Sequence, residues 1–138
     1  MRKLSIVLMA GLVLIAVAAA QSDEIYGVWD YPDVEKEGVT FKESLEFVRG
    51  SGQGVDEILE TMKCIRDDVS AEARARSSVQ IRDEEYQVLE ESSDSESEGD
   101  LPCVATIRRG TIGYEISEDG GELQTTNEGQ SVTLRRRR

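Results

Sequence analysis

The sequence has no histidine and only two cysteines, two prolines and one tryptophan among its 138 residues. Without histidine, the chain cannot form a Ser–His–Asp or Cys–His catalytic group or a histidine-ligated metal site. It also has no Cys-x-x-Cys pair, phosphate-binding loop or dinucleotide fingerprint. Its 28 acidic residues are too numerous for any one pair to indicate a general acid and base. We therefore expect a protein that is not an enzyme, with no catalytic residue, metal or cofactor.

Long apolar runs are confined to the first 20 residues. The positive pair Arg2 and Lys3 precedes an apolar stretch, and Ala18–Ala20 supply the small side chains that a signal peptidase accepts. The stretch is short for a membrane span of about 20 residues, which favours cleavage over a retained anchor. We predict a signal peptide at 1–20 and a single domain at 21–138. The mature protein would then be periplasmic or secreted and would not span the membrane.

Positive charge is scarce, because 16 Lys and Arg are outnumbered by 28 Asp and Glu, for a formal net charge of −12. A surface of that sign repels nucleic acid, which is therefore not expected as a partner. The segment 135–138 is predicted to be a basic C-terminal tail. The segment 92–100, SSDSESEGD, is too polar to bury and is predicted to be a mobile acidic loop. Its alternating carboxylates suggest calcium, but their spacing does not match an EF-hand, and a solvated loop is favoured.

Alternation of apolar and polar residues with a period of two is abundant and is typical of half-buried β-strands. It runs through 39–47, 69–81 and 112–116, with turn-forming residues between these runs. Strands at this spacing leave no room for crossover helices, so we predict an all-β, up-and-down antiparallel barrel of eight or nine strands. The segment 56–67 fits both a strand and a helix, and a strand is favoured because strong strands flank it.

Cys64 and Cys103 are the two cysteines. In an oxidising compartment, two cysteines predict one structural disulfide. The alternative is a redox or metal-binding pair. The two cysteines lie far apart in sequence and the chain has no histidine, so a structural disulfide is favoured over this alternative.

The stretch IYGVWD at 25–30 places Gly27 and Trp29 on the first predicted strand. This Gly-x-Trp resembles the signature of the lipocalins and, more broadly, of the calycin barrels. The resemblance implies that Gly27 permits a bend where the chain enters the barrel and that Trp29 closes one end. It also implies that an arginine of the last strand lies over the indole ring as a cation–π contact. Arg136 is the first candidate for that arginine and Arg135 the second.

A closer resemblance is to small bacterial exported lipocalin-like proteins. These combine an export signal, Gly-x-Trp, a cysteine after the second long strand, another after an acidic loop, and a tyrosine hairpin near the end. Cys64, Cys103 and Gly110–Tyr114 fall where that pattern would place them. The resemblance implies a barrel fold and brings no assigned activity.

An eight-stranded barrel is either filled by its own side chains or holds one small ligand. Alanines in the inward series of 69–81 leave space, which aromatic side chains of the protein or a ligand must fill. Glu43 interrupts an apolar face, either beside a ligand's polar head or, as favoured, solvated at a barrel mouth. The residues predicted to line a ligand cavity are Phe41, Glu43, Leu45, Ala71, Ala73, Ala75 and Tyr114.

Two functional hypotheses follow from these patterns. The first is a non-catalytic binding protein for a small apolar or amphipathic molecule in the cell envelope. The second is a protein-interaction or inhibitor module with a filled barrel and acidic loops, whose partner would be another protein. The two differ in whether the barrel contains a cavity. The sequence indicates no oligomeric state for either.

Overall fold

The alternating runs form antiparallel strands in the computed structural model, which describes residues 23–50 and 55–138. The strands are β1 (Gly27–Asp30), β2 (Val34–Lys36), β3 (Val39–Val48), β4 (Asp56–Arg66), β5 (Val69–Ile81), β6 (Glu85–Val88), β7 (Ser92–Glu98), β8 (Leu101–Ile107), β9 (Gly110–Ile116), β10 (Glu122–Asn127) and β11 (Gln130–Arg136). The predicted signal peptide lies outside the described residues. Within them, no helix is long and apolar enough to cross a membrane.

Eight of these strands close into a barrel, in the order β1-β11-β10-β9-β6-β5-β4-β3. The ring is complete because β1 pairs with β11 on one side and with β3 on the other. Strand β2 pairs with β3 outside the ring, and β7 and β8 form a separate hairpin. The predicted all-β barrel of antiparallel strands is therefore confirmed.

The segment 56–67, for which the sequence left strand and helix open, forms β4 over Asp56–Arg66. It pairs along its length with β3 and β5. Its inward face carries Ile58 and Cys64, which are buried. Hydrogen bonding to a neighbour on each side satisfies the backbone of β4, and the period-two alternation places its apolar residues on one face.

The segment 92–100 is a strand and a turn and not the loop that its composition suggested. Strand β7 pairs with β8 over its whole length, from Ser92 opposite Ile107 to Glu98 opposite Leu101. Most side chains of β7 remain exposed, so the pairing satisfies its backbone without burying its acidic groups. The polar composition correctly predicted that these side chains are exposed. Pairing with β8 gives the backbone its strand conformation.

The β7–β8 hairpin packs against the inward face of the long strands β4 and β5, which have 11 and 13 residues. Strand β5 pairs with β6 only from Val79 to Ile81, so its first half continues beyond the ring. There Ala71, Ala73 and Ala75 are buried, and their small side chains allow β8 to approach the sheet closely. The predicted disulfide is confirmed, since Cys64 of β4 is bonded to Cys103 of β8 across a Cα–Cα distance of 5.8 Å.

The first half of β5 leaves a backbone edge that β6 does not reach. Asp94 of β7 lies beside that edge, and its Oδ2 accepts a hydrogen bond of 2.9 Å from the backbone N–H of Arg74. The Asp94 carboxylate thus accepts the hydrogen bond that a backbone carbonyl of a neighbouring strand would otherwise accept. Such a charged group discourages pairing with another chain, because a further strand would have to displace it.

One end of the barrel is closed by Trp29, which is fully buried and donates from Nε1 to the carbonyl of Ile25 at 2.7 Å. The guanidinium of Arg136 lies over its ring, 4.1 Å from the centroid. Arg136 also donates to three backbone carbonyls, those of Glu24, Tyr26 and Gly120. Gly27 has a φ of 122°, and a Cβ there would lie 3.1 Å from the same guanidinium.

The segment 135–138 is not a free basic tail. Its first two residues, Arg135 and Arg136, belong to β11 and pair with β1. Arg137 donates from its backbone N–H to the carbonyl of Val28 and from its side chain to the carboxylate of Asp30. Asp30 at the end of β1 thus faces two of these arginines, Arg135 by register and Arg137 by an ion pair.

Candidate ligand-binding site

A cavity of about 560 Å³ opens at the end of the barrel opposite Trp29. The turns β8–β9 and β10–β11 form its rim, whereas the turn β9–β10, which Arg136 contacts through Gly120, lies at the Trp29 end. This volume is within the range of small-molecule sites in proteins. Its apolar lining consists of Leu45, Ile58, Val88, Ile107 and Ile112, its inner polar lining of Tyr31, Glu60, Tyr86 and Thr106, and its rim of Arg108, Arg109, Gly110, Thr111, Asn127 and Glu128.

The apolar lining comes from the inward positions of five strands, which the period-two pattern turns toward the barrel interior. Leu45, Ile58 and Val88 are buried positions of β3, β4 and β6. Strand β8 contributes Ile107 as it returns to the ring, and the chain then turns through Arg108 and Arg109 into β9. The hairpin that covers the alanines therefore also forms one side of the cavity.

Glu60 is a buried carboxyl group in the wall of this cavity. Its Oε2 accepts a hydrogen bond of 2.8 Å from the backbone N–H of Thr106, and it shares a second hydrogen bond with the side chain of Glu43. Burial, followed by the contact with Glu43, raises the pKa of Glu60 to about 9. Burial therefore favours the protonated form of Glu60.

Two tyrosines complete the polar lining. Burial raises the pKa of Tyr31 and of Tyr86 above the ordinary value, so both hydroxyls remain protonated. The ring of Tyr86 meets Phe47 edge to face, with centroids 5.1 Å apart and an interplanar angle of 72°. Aromatic contacts of this geometry fix the orientation of the Tyr86 ring beneath the cavity.

The rim carries both signs of charge. Arg108 and Arg109 are exposed, and within residues 23–50 and 55–138 neither takes part in an ion pair. Glu128, in the turn β10–β11, is the acidic residue of the described rim. The rim is therefore net positive in a chain with a strong excess of acid.

Of the seven residues predicted to line a ligand cavity, Leu45 alone is in the described lining of this one. Glu43 lies next to it through its contact with Glu60. Phe41 packs in a smaller cluster around the disulfide, and the three alanines lie beneath the β7–β8 hairpin because that hairpin occupies the space they leave. Tyr114 is buried in the main core and donates from its hydroxyl to the carbonyl of Arg82.

Sequence reasoning missed Glu60, Tyr31 and the two rim arginines. Glu60 interrupts the apolar face of β4 in the same way that Glu43 interrupts β3, and this signal was present in the sequence. The register places Glu60 opposite Leu45 and Glu43 opposite Met62, so the two carboxyl groups are diagonal neighbours on adjacent strands. The proximity of Glu43 and Glu60 could therefore have been predicted, because each interrupts the apolar face of one of two adjacent strands.

A second depression, also of about 560 Å³, is lined largely by charged side chains, and Glu43 is one of them. Several of these already pair with each other, including Lys42 with Asp33 at 2.7 Å and Arg74 with Glu72 at 3.4 Å. Arg137 likewise pairs with Asp30. Exposed groups that satisfy one another in this way offer less to a small ligand than the barrel interior does.

In the described part of the chain, no group of three or more acidic or cysteine side chains is placed to hold a metal ion. Comparison with known proteins found no matching family model, curated protein or solved structure.

Replacement of Glu60 by glutamine is expected to remove a pH-dependent loss of stability. The pKa of Glu60 lies near 9 in the folded protein against 4.5 ordinarily, so the folded state keeps a proton that the unfolded chain releases in this interval. The free energy of unfolding therefore falls as pH rises from about 4.5 to 9, by up to about 1.4 kcal/mol per pH unit. Urea titrations at pH 5, 6.5 and 8 should show Glu60→Gln increasingly more stable than the parent.

The matched control is Glu57→Gln, on the outer face of the same strand, where the carboxylate pairs with Arg76 at the surface. We expect this change to shift the free energy of unfolding by less than about 1 kcal/mol at any of the three pH values. A constant difference between Glu60→Gln and the parent from pH 5 to 8 would show that the buried carboxyl is already ionised.

Proposed function

We propose that this chain is a non-catalytic, lipocalin-like binding protein for a small amphipathic molecule. The observation that carries the proposal is the cavity of about 560 Å³ in the barrel, in which five aliphatic side chains lie among buried polar groups beneath a polar rim. A ligand's apolar part would lie against Leu45, Ile58 and Val88. Its polar part would face the protonated carboxyl of Glu60 or the rim. The absence of histidine from the sequence supports a role in binding without catalysis.

Location in an oxidising compartment belongs to the same proposal. The disulfide Cys64–Cys103 supports it, because such bonds persist in the periplasm or outside the cell. The export signal predicted at 1–20 supports it independently. Calycin membership is proposed on the Gly-x-Trp stretch and on the position of Arg136 over the indole of Trp29.

A second candidate function is a protein-interaction or inhibitor module. It is supported by the β7–β8 hairpin, which fills part of the barrel interior and presents an acidic, mostly exposed strand. Val104 of β8 is also exposed, at 49% of its surface, beside this acidic strand. A partner for this face would be basic and would bind without entering the cavity.

Titration with N-phenyl-1-naphthylamine, a neutral apolar fluorophore, tests the binding function. We expect saturable fluorescence enhancement at one site, and about tenfold weaker binding by Ile112→Trp, because the larger side chain would occupy the cavity that Ile112 lines. The control is Val34→Trp, since Val34 is exposed on β2, which pairs with β3 outside the ring and away from the cavity.

Near-UV circular dichroism establishes that both tryptophan variants are folded before their affinities are compared. Equal affinity in the two variants would place the fluorophore outside the cavity. No saturable binding by the parent chain would contradict the binding function and would favour the interaction module.

A further inference from the structure

We propose that the ligand is an anionic single-chain amphiphile, whose headgroup is held by Arg108 and Arg109 while its apolar chain lies in the barrel cavity. This inference rests on the proposed binding function and adds the charge of the ligand and the residues that recognise it. It concerns the rim formed by the turn β8–β9, which closes over the apolar lining.

The first argument is the state of the arginines. Many cationic side chains of the described residues pair with a carboxylate, as Arg66 does with Asp100, Arg76 with Glu57 and Arg82 with Glu85. Arg108 and Arg109 have no such partner among the described residues, although the chain has 28 acidic groups. Two adjacent guanidinium groups are thus left available for an anion at the edge of an apolar cavity.

The second argument is the charge of the rest of the cavity. The acidic residues in its described lining are Glu60 and Glu128. Glu60 is buried and accepts a hydrogen bond from the backbone N–H of Thr106, and its burial raises its pKa, which reduces its repulsion of an anion in the cavity. Glu128 belongs to the other turn of the rim and carries a single negative charge against the two arginines. The headgroup is therefore expected on the β8–β9 side.

The third argument is geometry. A guanidinium group binds carboxylate, sulfate or phosphate oxygens through two parallel N–H donors, which gives charge-assisted hydrogen bonds. The next residue, Gly110, has a φ of 150° and carries no side chain, and a Cβ there would meet no atom within 4 Å. Open space beside the arginines thus leaves room for a headgroup. The enclosed volume suits one small molecule, and the net charge of −12 disfavours docking on an anionic membrane surface.

The test compares three ligands of equal chain length by isothermal titration calorimetry: dodecanoate, dodecanol and dodecylammonium. The two charged ligands are kept below their critical micelle concentrations, and dodecanol is kept below its solubility limit. We expect the parent chain to bind dodecanoate about tenfold or more tightly than dodecanol, and dodecylammonium most weakly. Added salt should reduce the preference for dodecanoate, because it screens the exposed arginines.

The double variant Arg108→Gln with Arg109→Gln is expected to bind dodecanoate no more tightly than dodecanol, because the guanidinium donors that distinguish the two headgroups are absent. The control is Arg74→Gln with Arg76→Gln, which makes the same change of charge on exposed residues of the outer face of β5. This control should retain most of the preference, because its substitutions lie away from the rim.

The possible results separate the two proposals. Equal binding of dodecanoate and dodecanol by the parent would overturn the anionic headgroup and leave the binding function standing. Full retention of the preference in the Arg108/Arg109 variant would overturn the assignment of these two arginines. Binding of none of the three ligands would contradict the binding function itself and this inference with it.

Discussion

Replacement of Trp29 by alanine should lower the free energy of unfolding by about 3–5 kcal/mol. The indole is fully buried in the main core, and truncation would leave a cavity where β1 meets β3 and β11. The change also removes the aromatic face beneath Arg136 and the hydrogen bond to Ile25. The guanidinium would then contact its backbone carbonyls without a packed surface under it.

Urea denaturation followed by far-UV circular dichroism measures this loss. Trp29→Phe is the matched variant, because it keeps an aromatic ring and loses only the indole N–H and part of the volume, so we expect a smaller loss. Val132→Ala controls for truncation at an exposed site and should change stability by less than about 0.5 kcal/mol. A melting temperature of Trp29→Ala equal to that of the parent would contradict the role of Trp29 in closing the barrel end.

The second large effect is expected from the double variant Cys64→Ala with Cys103→Ala, which should lose about 3–4 kcal/mol. The disulfide links residues separated by 39 positions, and removing it frees the unfolded chain in proportion to the logarithm of that loop length. We expect the largest local effect in the β7–β8 hairpin, because Cys103 lies in β8 and the disulfide is the covalent link between the hairpin and β4, beside noncovalent contacts such as that of Thr106 with Glu60.

Amide hydrogen exchange distinguishes this local effect from a general one. We expect the β8 amides, including that of Thr106, to exchange faster in the double variant because the hairpin opens locally. The amides of β10 and β11 should still exchange only through global unfolding. The parent treated with a reductant under native conditions should behave like the variant. A uniform increase of exchange in all strands would indicate that the hairpin and the ring unfold as one unit.

The strands and the closed barrel could be predicted because alternation with a period of two is a local property of the chain. In β3 and β5, the polarity of each residue indicates the face of the sheet on which its side chain lies, and turn-forming residues mark the ends of the strands. The position of Arg136 was suggested by the resemblance, and the structure places its guanidinium over Trp29. The same alternation predicts that Val132 is buried on the face of Leu134, but Val132 is exposed.

The hairpin could not be predicted, because its conformation depends on contacts between distant segments. Nothing local in the acidic stretch of β7 favours a strand, and its pairing with β8 supplies the reason. The three alanines indicated empty space, but the sequence does not say that β8 would fill it. Arg108 and Arg109 could not be recognised as part of a site, since their position on a cavity rim exists only after the barrel has closed.

The contacts of Arg136 have a consequence for the order of folding. Its guanidinium binds the carbonyls of Glu24 and Tyr26, 112 and 110 positions earlier in the chain. Contacts of such long range form slowly, since the whole intervening chain must be brought together first. A nascent chain that has not yet released β11 from the ribosome leaves the edges of β1 and β10 unpaired. Ring closure therefore waits for β11, and the unpaired edges of β1 and β10 need protection until it pairs.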